Sequence, residues 1–384
     1  MMAMAKRSFL MATAAAGLVC ATSGVWAQSC KASAWPQWVQ FARRHIQPDG
    51  RVVDFSVANQ QSTSEGQSYA MFFALVANDR ERFASLWRWS RDNLGAGGPA
   101  LPAWQWGRRD NGSYGVLDPN SASDADLWIA YALLEAARLW RLPAYQQAAM
   151  ALLAQVKDKE VVDLPKLGPM LLPGAVGFVQ ADKWRLNLSY LPLPLLRKLA
   201  RVDGNGPWLA MIASTQQLLR QSSPQGFAPD WLGYDARVGA SVDEPTKGIG
   251  SYDAIRVYLW AGVTDEGDPL AQTWRNHVAG MLGYLNAHGV PPEHVDTVSG
   301  AATTTPATPG PWGFSAALLP YLKAAGQDSL LAGQLRLVQE QASKSTEPGY
   351  YNSVLSLFGW GWLQGQYRFA ADGDLQPAWQ PCTK

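Results

Sequence analysis

Segments that are apolar nearly all round alternate with segments that carry one charged face along this 384-residue chain. Residues 69–76 and 254–260 are examples of the first kind, which is typical of helices buried on every side. Between them, apolar residues recur at helical spacing opposite charged ones, which predicts amphipathic outer helices. We place these outer helices at roughly residues 35–46, 80–94, 143–157, 206–221, 268–286 and 327–342.

Each apolar segment opens with the same short pattern. A small polar residue is followed by an acid or a tyrosine and then by apolar and aromatic residues. The first five starts are about 60 residues apart and the last gap is shorter, and regular self-similarity on this scale indicates a repeated structural unit. The six starts fall at Ser64, Ser123, Ser189, Ser251, Gly313 and Tyr350.

Six inner helices that alternate with six outer ones predict an all-α fold, an (α/α)6 barrel in a single domain. Period-two runs of β-branched residues, which mark strands, are scarce. No long linker divides the chain, and the biased stretch 298–311 is short enough to be a surface loop. In such a barrel the inner-helix N-termini share one face, so the polar residues there face one cleft. A two-layer helical stack is the alternative.

The first 27 residues predict an export signal and not part of the fold. Lys6 and Arg7 form a short basic region, and residues 9–20 are apolar but too short to span a bilayer comfortably. Ala27 ends a small-residue cleavage site. We therefore expect a single domain of residues 28–384 that is periplasmic or secreted and does not insert into a membrane.

Cysteine and histidine are sparse in the exported part of the chain. Cys20 leaves with the signal, and Cys30 and Cys382 remain near the two ends. They are candidates for a disulfide in an oxidising compartment, because chain termini often lie close together, and two unpaired thiols are the alternative. The four histidines have no ligand-like spacing and there is no CxxC motif, so we expect no metal site.

Charge and aromatic content change this picture in two ways. The net charge is +1, and this balance argues against non-specific nucleic-acid binding. The 18 tryptophans exceed what a core rich in Leu and Val needs. Tryptophan in excess favours flat surfaces that bind sugar rings, and a Trp-rich helical core is the alternative.

Acidic residues stand at three of the helix starts: Glu65, Asp124 with Asp126, and Asp253. Each alone is explained by helix capping or by the helix dipole. Three acids at equivalent positions of buried helices would instead meet at a common centre, where desolvation and mutual repulsion separate their pKa values. A protonated and an ionised carboxyl facing one cleft are the equipment of glycoside hydrolysis.

Residues 122–140 resemble the signature of family 8 glycoside hydrolases, beginning Ala-Ser-Asp-Ala-Asp-Leu-Trp. Ser-Glu-Gly-Gln-Ser-Tyr at 64–69 and Ser-Tyr-Asp-Ala-Ile-Arg at 251–256 look like the family's two other hallmark sites. The likeness runs from about Trp35 to the C-terminus and is strongest to the periplasmic endoglucanases encoded with bacterial cellulose synthases. It implies an (α/α)6 barrel, inversion, and β-1,4-glucan (cellulose, cellooligosaccharides) as substrate, with no cofactor. It also implies a role in bacterial cellulose biosynthesis, and whether the protein associates with the cellulose synthase or secretion machinery stays open.

The resemblance also implies roles for individual residues. Glu65 matches the general acid, Asp253 the general base, and Tyr190 a tyrosine that helps to hold the attacking water. Asp124 matches an acid that binds the distorted sugar, because an inverting enzyme needs no covalent nucleophile. Inversion also predicts Glu65 and Asp253 carboxyl groups about 6.5–9.5 Å apart. Asp126 is expected to be a supporting or capping acid and Arg256 to bind substrate or fix the base; Trp104, Trp184, Tyr350 and Tyr351 are candidate sugar platforms.

Other functions stay open at this point. A helical polysaccharide lyase would share the fold, although it needs positive charge for a uronate. A non-catalytic glucan-binding component of a secretion complex would bind cellooligosaccharides without cleaving them. A family 8 enzyme acting on xylan, chitosan or lichenan would share the site residues.

Overall fold

A computed structural model describes residues 35–344 and 349–380. The predicted export signal, Cys30 and Cys382 lie outside these ranges, so their predictions stay untested. None of the helices described there is long and apolar enough to cross a membrane. In chain order the α-helices are α1 (Pro36–His45), α2 (Ser64–Val76), α3 (Arg80–Leu94), α4 (Ser123–Trp140), α5 (Pro143–Lys159), α6 (Leu193–Val202), α7 (Trp208–Ser222), α8 (Ile255–Val263), α9 (Ala271–His277), α10 (Gly280–His288), α11 (Trp312–Ala324), α12 (Asp328–Lys344) and α13 (Tyr350–Leu363).

The helices form an inner and an outer ring, as the alternation of the sequence predicts. Every side chain of inner helix α8 is buried, whereas only Gln334 and Val338 are buried on outer helix α12. Inner helices α2 and α4 pack together, as do α8 and α11, and α11 and α13. The architecture is therefore the mainly helical (α/α)6 barrel, and the large buried rings of Trp128, Trp208 and Trp260 account for part of the tryptophan excess.

Two helix predictions need correction. The third inner helix begins at Leu193 and not at Ser189, because Leu188–Tyr190 forms a single 3-10 turn and Pro192 follows it, with no N–H to continue a helix. The predicted fifth outer helix is two helices, α9 and α10. At the break between them, the Gly280 N–H donates to the carbonyl of Gly226 at 2.9 Å. This close approach requires glycine, because a Cβ on residue 280 would lie 2.3 Å from a backbone oxygen.

Short antiparallel strands in the connections are a feature that the sequence pattern did not predict. They have two to five residues, too few for a period-two pattern to stand out. They are β1 (Ser62–Thr63), β2 (Gln105–Arg108), β3 (Tyr114–Asp118), β4 (Val161–Leu164), β5 (Gly168–Leu171), β6 (Val179–Gln180), β7 (Lys183–Leu186), β8 (Leu232–Asp235), β9 (Gly239–Val242), β10 (Ile249–Gly250), β11 (Val295–Asp296), β12 (Tyr367–Phe369) and β13 (Leu375–Pro377). The largest sheet, β6-β7-β8-β9, joins the connections before α6 and α8, with Trp184 opposite Tyr234.

The far end of the barrel is occupied by the C-terminal hairpin β12–β13. Its turn approaches α4 and α6: the Tyr131 hydroxyl donates to the Gly373 carbonyl at 2.9 Å, and the Leu375 N–H donates to the Glu135 carboxylate at 2.7 Å. Glu135 is eleven positions after Asp124, which is about 16 Å along a helix. The acids at the helix starts are thus left at the opposite face.

Candidate active site

Three acids from three inner-helix starts converge on one arginine. Arg256 Nη2 lies 2.8 Å from Asp253 Oδ1 and 4.0 Å from Asp124 Oδ2, and its Nη1 lies 3.4 Å from Glu65 Oε1. The arginine is buried. The predicted meeting of the acids at one centre is therefore observed, and a single guanidinium links them.

The Glu65 carboxylate is not the cap of its helix. Thr63 caps α2, since its hydroxyl accepts the Gly66 N–H at 3.0 Å, and the Ser64 N–H donates to the Trp104 carbonyl at 2.9 Å. The backbone before and after Glu65 is therefore fixed by other groups. Its side chain keeps 24% exposure, so it is accessible to a ligand.

Asp124 is the most deeply buried of the three acids. Its side chain is 1% exposed. Its Oδ1 accepts the backbone N–H of Ala125 at 2.8 Å, and its Oδ2 accepts the Tyr69 hydroxyl at 3.4 Å. Burial, followed by repulsion from Glu65, raises the pKa of the Asp124 carboxyl well above its ordinary value. A carboxyl in this state is suited to hydrogen bonding with a sugar hydroxyl.

Asp253 is more exposed than Asp124, and its side chain keeps 28% exposure. Arg256 Nη2 donates to its Oδ1 at 2.8 Å. Burial raises the pKa of the Asp253 carboxyl, and Arg256, Trp231 and Asn187 oppose that shift. The neighbouring cation favours the ionised form that a general base needs.

Tyr190 lies beside the same arginine. Its ring centre is 5.8 Å from the Arg256 guanidinium carbon, and Arg256 Nη2 also donates to the neighbouring Ser189 hydroxyl at 3.0 Å. Burial, with the charge of Asp124 next, raises the pKa of the Tyr190 phenol well above its ordinary value. The phenol therefore stays protonated and able to donate a hydrogen bond.

The four candidate sugar platforms occupy different places. Trp104 joins two helix starts through its backbone. Its backbone N–H donates to the Asn120 carbonyl, and its carbonyl accepts the Ser64 N–H. The Tyr350 hydroxyl lies against Gly66, where a Cβ would be 2.5 Å from it, and the Tyr351 hydroxyl donates to the carbonyl of Tyr252.

Trp184 is not part of the arginine cluster. It lies on β7, where its ring centre is 6.1 Å from that of Tyr234, and it lines a cavity of about 720 Å³ on the four-stranded sheet. Its neighbour Arg185 connects that sheet to the cluster through Trp231, over whose ring it lies at 4.1 Å.

Three contributors to the site were missed by sequence reasoning: Asn187, Asp230 and Trp231. Trp231 lies 6.2 Å from Tyr190 ring to ring and stacks on Phe178 at 5.9 Å with nearly parallel planes. Asp230 accepts backbone N–H groups of the Asp253 turn. The adjacency of an acid and a tryptophan in the connection before Asp253 was the one available signal.

Asp126 is neither a cap nor a member of the arginine cluster. It is fully buried beside Glu160, which accepts a hydrogen bond from the Ser121 hydroxyl at 2.6 Å. Burial and then repulsion from Glu160 raise the pKa of Asp126 well above its ordinary value, and burial raises the pKa of Glu160 to about 7. Asp126 therefore belongs to the buried side of the α4 start that contacts Glu160, and not to the arginine cluster.

This buried acid pair predicts a pH-dependent stability. Raised pKa values mean that the unfolded chain ionises first, so stability present below about pH 4.5 is lost as the pH rises towards about 7. We expect Glu160→Gln, which keeps an acceptor for Ser121, to have a free energy of unfolding about 1–3 kcal/mol larger than wild type at pH 8. It should therefore unfold at a higher temperature there, with little difference at pH 4. Thermal unfolding across this range measures it. A difference that does not change with pH would contradict the prediction, and exposed Glu340→Gln is the control.

Comparison with known proteins agrees with this geometry. Residues 11–365 match the family model described as glycosyl hydrolases family 8. An endoglucanase of Xanthomonas axonopodis pv. citri (strain 306) is 50% identical over 350 residues, 90% of each chain. An endoglucanase of Escherichia coli (strain K12) is 44% identical over 358 residues, 92% of this chain and 94% of that one.

Solved structures give the same result. The structure of an endo-1,4-D-glucanase from Vibrio fischeri ES114 superposes with a TM-score of 0.85 at 40% identity, covering 90% of this chain and 99% of that one. The endo-β-1,4-glucanase CMCax from Acetobacter xylinum superposes with a TM-score of 0.68 at 29% identity, covering 85% and 96%.

Proposed function

Because this chain belongs to glycosyl hydrolases family 8, we propose that it is an endo-β-1,4-glucanase that cleaves cellulose-type chains with inversion. The observation that carries the proposal is the convergence of Glu65 and Asp253 on the two terminal nitrogens of the Arg256 guanidinium. The relatives that match nearly the full chain are named endoglucanases, which supports the choice of substrate.

The site residues divide the reaction between them. Glu65 donates its proton to the leaving glycosidic oxygen as the bond from that oxygen to the anomeric carbon breaks. Asp253 takes a proton from the water that attacks the anomeric carbon from the opposite face, so inversion leaves Glu65 ionised and Asp253 protonated until solvent restores both. Arg256 keeps Asp253 ionised before the step, Asp124 binds the sugar at the cleavage point, and Tyr190 orients the water.

Release of reducing ends from carboxymethylcellulose, compared with xylan and chitosan, tests the activity. We expect rapid release from carboxymethylcellulose, with the α-anomer as the first product seen by proton NMR. The β-anomer as first product would exclude inversion. Binding of cellooligosaccharides without release would favour the non-catalytic alternative, and products that absorb in the ultraviolet would favour a lyase.

We also propose that this activity lies outside the cytoplasm and serves bacterial cellulose biosynthesis. The N-terminal signal pattern and the likeness to endoglucanases encoded with cellulose synthases support this setting. Fractionation of the native host tests the location, and co-purification with the cellulose secretion machinery tests the association. Recovery of the protein with the cytoplasmic fraction would contradict it.

A further inference from the structure

We propose that Asp230 is a positioning residue for the general base, and this inference rests on the proposed function. Asp230 lies in the connection between α7 and α8, twenty-three positions before Asp253. Its role is to fix the backbone turn from which the Asp253 carboxylate reaches the cleft.

One oxygen of Asp230 accepts three backbone N–H groups from that turn. Oδ1 lies 2.8 Å from the nitrogen of Ser251, 3.0 Å from that of Asp253 and 2.8 Å from that of Ala254. All three donors precede α8, whose first N–H groups, those of Ile255, Arg256 and Val257, are already bonded to carbonyls of the same turn. Asp230 therefore fixes the turn that leads into α8 and carries Asp253.

Asp230 is itself fixed to the same region. Its own N–H donates to the Ile249 carbonyl at 2.8 Å, and Ile249 belongs to β10, directly before the turn. The backbone of Asp230 is therefore bonded to the strand just before the turn, and its side-chain oxygen is bonded to the turn itself. An acceptor that carries charge binds N–H donors about twice as strongly as a neutral one.

The residue after Asp230 also belongs to the site. The Trp231 ring lies 6.2 Å from the ring of Tyr190, 5.9 Å from the parallel ring of Phe178 and 4.1 Å from the Arg185 guanidinium carbon. Trp231 also lowers the pKa of the Asp253 carboxyl. A shift of Asp230 would therefore move both the Asp253 turn and Trp231.

Removal of the Asp230 carboxylate should affect the base side of the reaction alone. We expect Asp230→Ala to lower kcat about 100-fold, the effect of misplacing a catalytic group by about 1 Å, with KM changed less than about threefold. Asp230→Asn keeps one acceptor oxygen, so it should recover most of the loss. Both are assayed on cellooligosaccharides well below the Tm of each variant.

Azide provides a readout that a merely structural role would not move. Azide attacks the anomeric carbon without needing a base, so it should restore turnover of Asp230→Ala and of Asp253→Ala and form an α-glycosyl azide. The matched control is Asp79→Ala, which removes the cap of outer helix α3, where Asp79 accepts the Arg82 N–H at 3.2 Å. We expect this control to lower Tm but leave kcat unchanged and insensitive to azide.

Three results decide the matter. A kcat within twofold of wild type in Asp230→Ala overturns the positioning role, and so does a loss that azide leaves unrestored. If the alanine variant does not fold, Asp230→Glu, which keeps an acceptor but moves it by one methylene group, gives the same test with azide. An inactive wild type would refute the proposed function, whereas an active wild type with a fully active Asp230→Ala refutes this inference alone.

Discussion

We expect Glu65→Gln and Asp253→Asn each to lower kcat on carboxymethylcellulose by about 1,000-fold or more, while cellooligosaccharide binding survives. Each amide keeps the size and polarity of the acid but neither donates a proton as the acid does nor accepts one as the base does. Both side chains lie against Arg256, so each variant keeps an oxygen for that contact. Reducing-end assays measure kcat, and calorimetry measures binding.

The leaving group separates the two roles. A dinitrophenyl cellooligosaccharide needs no proton on its leaving oxygen, so Glu65→Gln should regain turnover on it and Asp253→Asn should not. The control is Glu81→Gln, an exposed acid on outer helix α3. Full activity of either catalytic variant on the polymer would end the assignment of that residue.

We expect Glu135→Ala to lower the free energy of unfolding by about 3–5 kcal/mol, the effect of removing one partner of a buried ion pair. Glu135 is fully buried and contacts the Lys198 ammonium, which is itself only 3% exposed. It also binds Arg138 and the Leu375 N–H. Without Glu135, the Leu375 N–H loses its acceptor and the two cations keep only their other contacts, of Lys198 and Arg138 with Asp374, which denaturant unfolding should report.

Two controls show whether burial causes this loss. Glu340→Ala breaks an exposed helical pair with Lys344, 3.6 Å apart, and should change stability by less than about 1 kcal/mol. The double variant Glu135→Gln/Lys198→Met removes both charges and keeps an acceptor for Leu375, so it should be more stable than Glu135→Ala. A Glu135→Ala protein as stable as wild type would show that the pair contributes nothing. Turnover well below Tm should be unchanged, because the site lies at the other end of α4.

The helical rings could be predicted because their signal is local. An apolar segment such as that of α8 is stable only when it is buried, and the polar residue before it marks where burial begins. For that reason the predicted helix starts put Glu65 and Asp124 in the first turns of α2 and α4, where the structure has them. The hairpins could not be predicted, since a strand such as β7 has only four residues and owes its existence to pairing with β8, some fifty positions later.

The site itself was predictable only in part. The acids were visible as repeated positions, but their shared partner Arg256 became evident only when three helices met. Asp230 and Trp231 act on Asp253 across a connection, so spacing along the chain carries no sign of their role. Trp184 lies ahead of a helix start on the wall formed by the four-stranded sheet, away from the arginine cluster, and its role as a sugar platform stays a prediction.

The C-terminal hairpin also determines when the fold is completed. The contacts from Tyr131 to Gly373, from Glu135 to Leu375 and from the Trp379 indole to the Leu75 carbonyl join residues more than two hundred positions apart. None of these contacts forms before residues 373–379 have left the ribosome. A nascent chain that has not yet reached them therefore keeps the end of the barrel opposite the acids open.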